Sequence, residues 1–163
     1  MEANPPEGED PVAAAYEQGL RLLVRREHSR RELAHKLGER GHPPEAVEAA
    51  LERLEAEDAL SDPRFAEEYA RARFAKGFGP RRVEAELRQH GLDGEGLAPA
   101  RLPRAEEREL AAGQLVKRFG GEAPADAGDR AKRLRYLQQR GFDPELCDRL
   151  VRGRGNPDDP DGF

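Results

Sequence analysis

The sequence predicts an all-α chain of three tandem three-helix, helix-turn-helix-like repeats, and three observations carry the prediction. Apolar residues recur at spacings of three and four, which places them on one face of helices. Similar stretches return at an offset of 50 residues. Gly and Pro fall between the periodic segments, where helices stop and start.

The offset is visible when "SRRELAHKLGERGHPPEAVEAAL" (29–51) is aligned with "GPRRVEAELRQHGLDGEGLAPAR" (79–101) and "GDRAKRLRYLQQRGFDPELCDRLV" (128–151). Leu37, Leu87 and Leu137 coincide, as do Gly41, Gly91 and Gly141, preceded by Arg40, His90 and Arg140. Pro44-Glu45 returns as Pro144-Glu145. Matches this dense at one offset mark an internal repeat. They set the repeats at 12–60, 61–104 and 105–152, between acidic tails at 1–11 and 153–163 whose composition predicts disorder.

In repeat one, Val12, Tyr16, Leu20, Leu23 and Val24 predict a buried stripe on a helix over 12–26. Ser29 caps a short second helix, and Glu32 completes a capping box in "SRRE". Leu33 and Leu37 face inward, and Gly41 ends the helix in the left-handed conformation. Pro44 opens the third helix, whose stripe is Val47, Leu51 and Leu54.

Repeat two begins at "DPRFAEEYARARFAK", where Asp62 caps, Pro63 is first, and Phe65, Tyr69, Ala72 and either Phe74 or Ala75 pack. Gly79 and Pro80 open its short helix, with Val83 and Leu87 inside. Its third helix carries Gly94, Gly96, Pro99 and Pro103. Since an interior proline costs about 3 kcal/mol, a broken or short helix and a hinge are expected there. Repeat three starts near Glu106 with Leu110, Leu115, Val116 and Phe119, followed by the loop "GGEAPADAG".

Composition restricts the function classes. Of 163 residues, 36% are hydrophobic and 37% charged, with no Trp, which favours several thin cores over one thick one. No apolar run reaches the roughly 18 residues of a membrane span, and the start of the chain is acidic and Pro-rich, so a soluble cytoplasmic protein is expected. Cys147 is the only cysteine, which excludes an internal disulfide and a thiolate metal cluster, and predicts a small core residue.

The net charge of −5 argues against a simple nucleic-acid coat, but the charge is blocked. Residues 12–42 carry seven Arg or Lys against four Glu, and 43–68 carry two against nine acidic residues. Residues 69–92 carry six against two and 117–140 seven against three. The acidic block keeps a helical apolar pattern and is the solvated back of a helix. A sequence-reading helix-turn-helix would need that helix, 44–60, in the major groove, where phosphates would repel it.

Arginines recur in the first turn of each short helix, where a cation is disfavoured by roughly 0.3 to 1 kcal/mol. Arg30 matches Arg130, Arg31 matches Arg81, and Arg82 matches Lys132 with Arg133 beside it. With Lys76, these residues form the candidate surface for an anionic partner, either phosphates or a carboxylate-rich protein. The alternative is a solvated face of long-stemmed side chains. Reversing Arg81 and Arg82 to Glu is expected to keep or slightly raise stability.

Nothing in the spacing predicts an enzyme, a cofactor or a metal. "KGFG" lacks the G-x-x-x-x-G-K-[ST] of a phosphate loop. His28, His35 and His42 recur every seven residues, but His28 lies between helices and His42 in a turn. His90 sits at a helix C-terminus, and no nucleophile with a base and an orienting partner can be nominated.

"RREHSRRELAHKLGERG", "LSDPRFAEEYARARFAKGFGPRRVEAELRQHGL" and "KRLRYLQQRGFDPELCDRLV" closely resemble the RecX family, the bacterial regulators of the RecA recombinase. The resemblance covers roughly residues 12–152, and D-x-R-F-A-E followed by K-G-x-G-P is its most specific part. It implies an elongated, curved arrangement of three-helix repeats and binding along the groove of the RecA nucleoprotein filament. An extended monomer is expected to occupy successive protomers there, since three units in a row cover far more than the roughly 22 Å of one 15-residue helix. It also implies inhibition of ATP hydrolysis, strand exchange and co-protease activity, without cofactors. The other reading of the same residues is a sequence-independent binder of single- or double-stranded DNA.

Overall fold

The computed structural model describes residues 8–152. Of the expected disordered tails, residues 1–7 and 153–163 lie outside the described residues, whereas residues 8–11 are described and Pro11 begins a helix. Among the described residues, eight α-helices and one 3-10 helix are present and no strand. They are α1 (Pro11–Arg25), α2 (Arg30–Glu39), α3 (Pro44–Ala56), α4 (Asp62–Ala75), α5 (Pro80–Gln89), the 3-10 helix (Gly94–Ala100), α6 (Arg104–Phe119), α7 (Ala127–Arg140) and α8 (Pro144–Arg152). The 3-10 helix, with Pro99 inside it, stands where Gly and Pro predicted a broken third helix.

Helix ends follow local chemistry. Asp10, which sequence reading assigned to the tail, accepts from the Val12 N–H and caps α1. Gly41, Gly91 and Gly141 all have positive φ (86°, 87° and 98°). After each, the chain closes the helix in the same way. His42, Leu92 and Phe142 donate to the carbonyls of Leu37, Leu87 and Leu137, while the glycine N–H donates three residues back. These bonds satisfy carbonyls that have no partner inside the helix. The 50-residue period is thus a period of helix stops.

Two caps differ from expectation. Ser29 accepts from the Glu32 N–H, but the Glu32 carboxylate does not return to Ser29. It takes a bidentate pair with Arg26, so only half a capping box forms. Asp62 does not cap α4. Ser61 does so through its hydroxyl and carbonyl, which accept from the N–H groups of Arg64 and Phe65. The Asp62 carboxylate instead accepts from the Arg30 N–H at 2.8 Å, satisfying the first turn of α2.

The chain divides into two compact units that do not coincide with the repeats. One comprises the described residues up to Tyr69 with Leu87–Leu97, and the other Ala70–Glu86 with the described residues from Ala98. The first is centred on Leu22, Leu33, Leu37, Val47, Leu51, Leu54 and Leu60 from α1 to α3 and the following turn. Gly19 sets its tightest approach, since a Cβ there would lie 2.8 Å from Leu54 Cδ1. Phe65, Tyr69 and His90 add an aromatic cluster with ring centroids 5.0 to 5.5 Å apart. The second unit packs Ala111, Leu137, Phe142, Leu146, Cys147 and Val151. As expected, Cys147 is a core residue.

Three stripe assignments are corrected. Val24 is 85% exposed, because the buried face of α1 is Ala15, Gly19 and Leu22, and at 3.6 residues per turn Val24 lies opposite it. Val116 is 58% exposed for the same reason, opposite Glu107 and Ala111 on α6. On α4 the buried alanines are Ala66 and Ala70, while Ala72 and Ala75 are exposed.

Candidate functional site

The N-terminus of α5 explains its arginines. The Gly79 N–H donates to the Arg140 carbonyl at 2.7 Å and the Arg81 N–H to the Gly141 carbonyl at 2.9 Å. The first turn of α5 is therefore capped by the last carbonyls of α7. Carbonyls at a helix C-terminus carry partial negative charge, so the cation-unfriendly end of α5 lies against a cation-friendly one. Glycines at both positions permit this approach. A Cβ on Gly79 would lie 2.6 Å from the Gly141 carbonyl, and one on Gly141 would lie 2.5 Å from the Arg82 nitrogen. A looser counterpart occurs in the first unit, where a Cβ on Gly91 would lie 3.0 Å from Arg31 Cδ.

The side chains continue the joint. Arg81 Nη2 pairs with Asp143 at 2.9 Å, and Arg104 reaches the other oxygen of that carboxylate at 3.0 Å. Asp143 also accepts from the Leu146 N–H at the start of α8, and its own N–H donates to Glu107. Partial burial tends to raise its pKa, but the Leu146 N–H and the guanidiniums of Arg104 and Arg81 outweigh this and hold it below the usual carboxylate range. Asp143 thereby ties α5, α6 and α8 together.

Phe78, in the "KGFG" turn, is surrounded by guanidiniums. Arg73 lies 3.8 Å from its ring centroid and Arg82 and Arg140 each 4.3 Å, distances at which a cation is attracted to an aromatic face. Arg73 and Arg82 share Glu86 as counter-ion. Arg140 donates to the carbonyls of Lys76 and Gly77. Arg82 further donates to the Gln139 carbonyl at 3.3 Å. Within this unit Arg73 and Arg82 thus gather around Glu86, and Arg81 and Arg104 around Asp143, while Arg140 holds the backbone of the turn and Lys76 is exposed beside it. The aromatic ring orders the cations, and their spare N–H groups offer donors to an anion.

The remaining candidates separate into two kinds. Arg30 is committed internally: it pairs with Glu48 at 2.6 Å and with Glu55, and both hold its pKa above the ordinary arginine value. Arg133 is 9% exposed, donates to the Glu122 carbonyl and pairs with Asp129, holding the preceding loop to α7. Its buried Nε has no hydrogen-bond partner among the described residues. That loop ends at Asp126, which caps α7, and not at Gly128 as expected, so Arg130 lies in the first turn of α7 while Lys132 and Arg133 lie beyond it. Arg31, Arg130 and Lys132 are exposed and make no ion pair among the described residues. Lys132 lines a cleft of about 210 Å³ with Arg118, Phe119, Arg135, Tyr136 and Gln139.

Sequence reading missed Arg73, Phe78, Arg104, Arg140 and Asp143. Arg140 left one signal, its match to Arg40 before the repeat glycine, but Arg40 makes no ion pair among the described residues. The seven-residue histidines are not gathered: His28 contacts Lys36, His35 pairs with Glu39 and His42 with Gln18. Among the described residues no group of His, Cys, Asp and Glu could hold a metal, and no helix is long and apolar enough to cross a membrane.

Three family models match in chain order: RecX first three-helix domain over 15–54, second over 61–96, and third over 105–151. The chain belongs to the RecX family. It is 41% identical over 150 residues to the regulatory protein RecX of Pseudomonas fluorescens Pf-5, covering 91% of this chain and 97% of that one. The regulatory protein RecX of Halorhodospira halophila is 45% identical over 131 residues, 79% of this chain and 81% of its own. The crystal structure of RecX from Lactobacillus salivarius shares the fold, with a TM-score of 0.73 at 20% identity over 88% of this chain and 96% of that one. The crystal structure of another regulatory protein RecX gives a TM-score of 0.74 at 24% identity over 88% and 72%. The chain is accordingly an all-helical member of a family of regulatory proteins.

Proposed function

We propose that this protein is a negative regulator of the RecA recombinase. It binds the groove of the RecA filament on single-stranded DNA and restrains ATP hydrolysis, strand exchange and co-protease activity. The observation that carries the reading is the match of all three helical domains, in order, to RecX regulatory proteins. The cations around Phe78 supply the contact chemistry.

On this reading Arg31, Lys76, Arg81, Arg82, Arg130 and Lys132 face the anionic partner. Arg30 and Arg133 fix the helix turns that present them. The repeats at 12–60, 61–104 and 105–152 act as a cytoplasmic monomer across neighbouring filament protomers. Occupying the groove blocks opening motions and the access of a second DNA strand together, so inhibition needs no catalysis and no cofactor.

The test is RecA ATPase on single-stranded DNA, titrated with this protein. Saturable loss of hydrolysis at ratios below one protein per RecA is expected. Undiminished hydrolysis at excess protein rejects the reading. Direct DNA binding is the second reading, favoured by the exposed basic first turns. Filter binding of oligonucleotides with and without RecA separates the two, since retention that is equal in both cases supports the second.

A further inference from the structure

A cleft of about 410 Å³ opens in the first three-helix domain, between the end of α1 and the C-terminal half of α2. Its walls carry Arg25, Arg26, His28, Lys36, Glu39 and Arg40. None of these belongs to the partner surface proposed above, and nothing in that reading uses them.

The cations outnumber what the domain needs. Glu32 takes Arg26 in a bidentate pair and stands 3.6 Å from Lys36. Glu39 is engaged by His35 at 3.0 Å. Arg25 and Arg40 make no ion pair among the described residues. Four cations therefore line this concavity with one carboxylate, Glu39, while Glu32, outside the lining, takes Arg26 from its side.

Helix C-termini attract cations without further cause, which accounts for Arg25 and Arg40 taken singly. It does not account for the floor. There His28, 1% exposed, places Nδ1 3.0 Å from the Arg26 carbonyl and Nε2 2.9 Å from Lys36 Nζ. The carbonyl can only accept, so Nδ1 carries the proton and Nε2 accepts from the ammonium. A buried neutral imidazole thus holds Lys36 in place beside Arg26, with ammonium protons to spare. Burial lowers the His28 pKa and keeps the ring in the form that accepts.

We propose that this cleft binds a phosphate group, held at its floor by Lys36 and Arg26 and at its rim by Arg25 and Arg40. Its volume falls within the roughly 300–1,000 Å³ of small-ligand sites, so it has room for a nucleotide as well as for one phosphodiester of a strand. A phosphate oxygen gains charge-assisted bonds from several fixed donors at once. The proposal does not rest on RecA binding, and its test contains no recombinase.

Binding is measured calorimetrically on the full chain with three probes: inorganic pyrophosphate, ATP, and a 12-residue oligothymidylate. Each is titrated into wild type, Arg25→Gln with Arg40→Gln, and the control Arg71→Gln, an exposed cation on α4. Both altered residues are exposed, and melting temperatures confirm that the variants fold. Removing two charge-assisted donors is expected to weaken binding roughly tenfold or more, with Arg71→Gln unchanged. If pyrophosphate and ATP show this loss, the site takes free phosphate compounds. If the oligonucleotide alone shows it, the site takes a strand phosphodiester. If no probe binds, or if none loses affinity in the double variant, the proposal is overturned.

Discussion

His28 is the residue whose role could least be read from its neighbours in the chain. It lies between helices, as expected from its position, yet it is buried and bonded on both ring nitrogens. Burial comes first among the causes that lower its pKa below 6.5, with the Arg26 and Lys36 charges adding to it and the Arg26 carbonyl and Glu32 opposing. As pH falls through 6.5 the unfolded chain takes a proton that the folded chain refuses, so stability drops from about pH 7 down to the folded pKa. The slope cannot exceed about 1.4 kcal/mol per pH unit for one proton. Thermal melts from pH 7.5 to 5.5 should show this loss in wild type and a shallower one in His28→Gln. Equal slopes would mean the imidazole is not excluded from protonation.

At the scale of elements, the informative feature is the start of α5 against the end of α7. A cation in a first turn is unfavourable for an isolated helix, and on that ground reversal of Arg81 and Arg82 was expected to be harmless or stabilising. The α7 carbonyls and Asp143 change the sign. Arg81→Glu with Arg82→Glu puts carboxylates beside Asp143, Glu86 and a helix C-terminus, and removes the pairs already there. A loss of stability on the order of 1 kcal/mol is expected, because these pairs are largely solvent-exposed. Arg130→Glu, in the first turn of α7 without an ion-pair partner among the described residues, should be neutral or slightly stabilising. Denaturant melts of the two variants should move apart, and a stabilised double variant would contradict the joint.

At the scale of the whole molecule, three repeats in sequence become two compact units in space, with α4 and α5 each contributing to both. Each unit has its own buried leucines, Leu37 in one and Leu137 in the other, both fully buried. An unpaired carboxylate at either site costs several kcal/mol. Leu37→Asp should therefore speed amide exchange across α1 to α3 while α6 to α8 keep their protection, and Leu137→Asp should do the reverse. Uniform loss of protection in both variants would mean that the chain unfolds as one unit.

Periodicity by itself determined the all-helical class, the 50-residue repeat, the helix-stopping glycines and most of the core. These depend on contacts within a few residues and on which face of a helix is apolar. Val24 and Val116 escaped because hydrophobicity was read without the precise phase of the helix. The candidate site was legible only in part: Arg81, Arg82 and Lys76 stood out from their spacing, but Arg140 and Asp143 lie about 60 residues further along. Only the tertiary structure decided that Arg30 and Arg133 are held by internal partners, and that Arg81 and Arg82 face a helix end with partial negative charge. An electrostatic preference belongs to the whole local field, and half of that field comes from a helix that no short stretch of sequence contains.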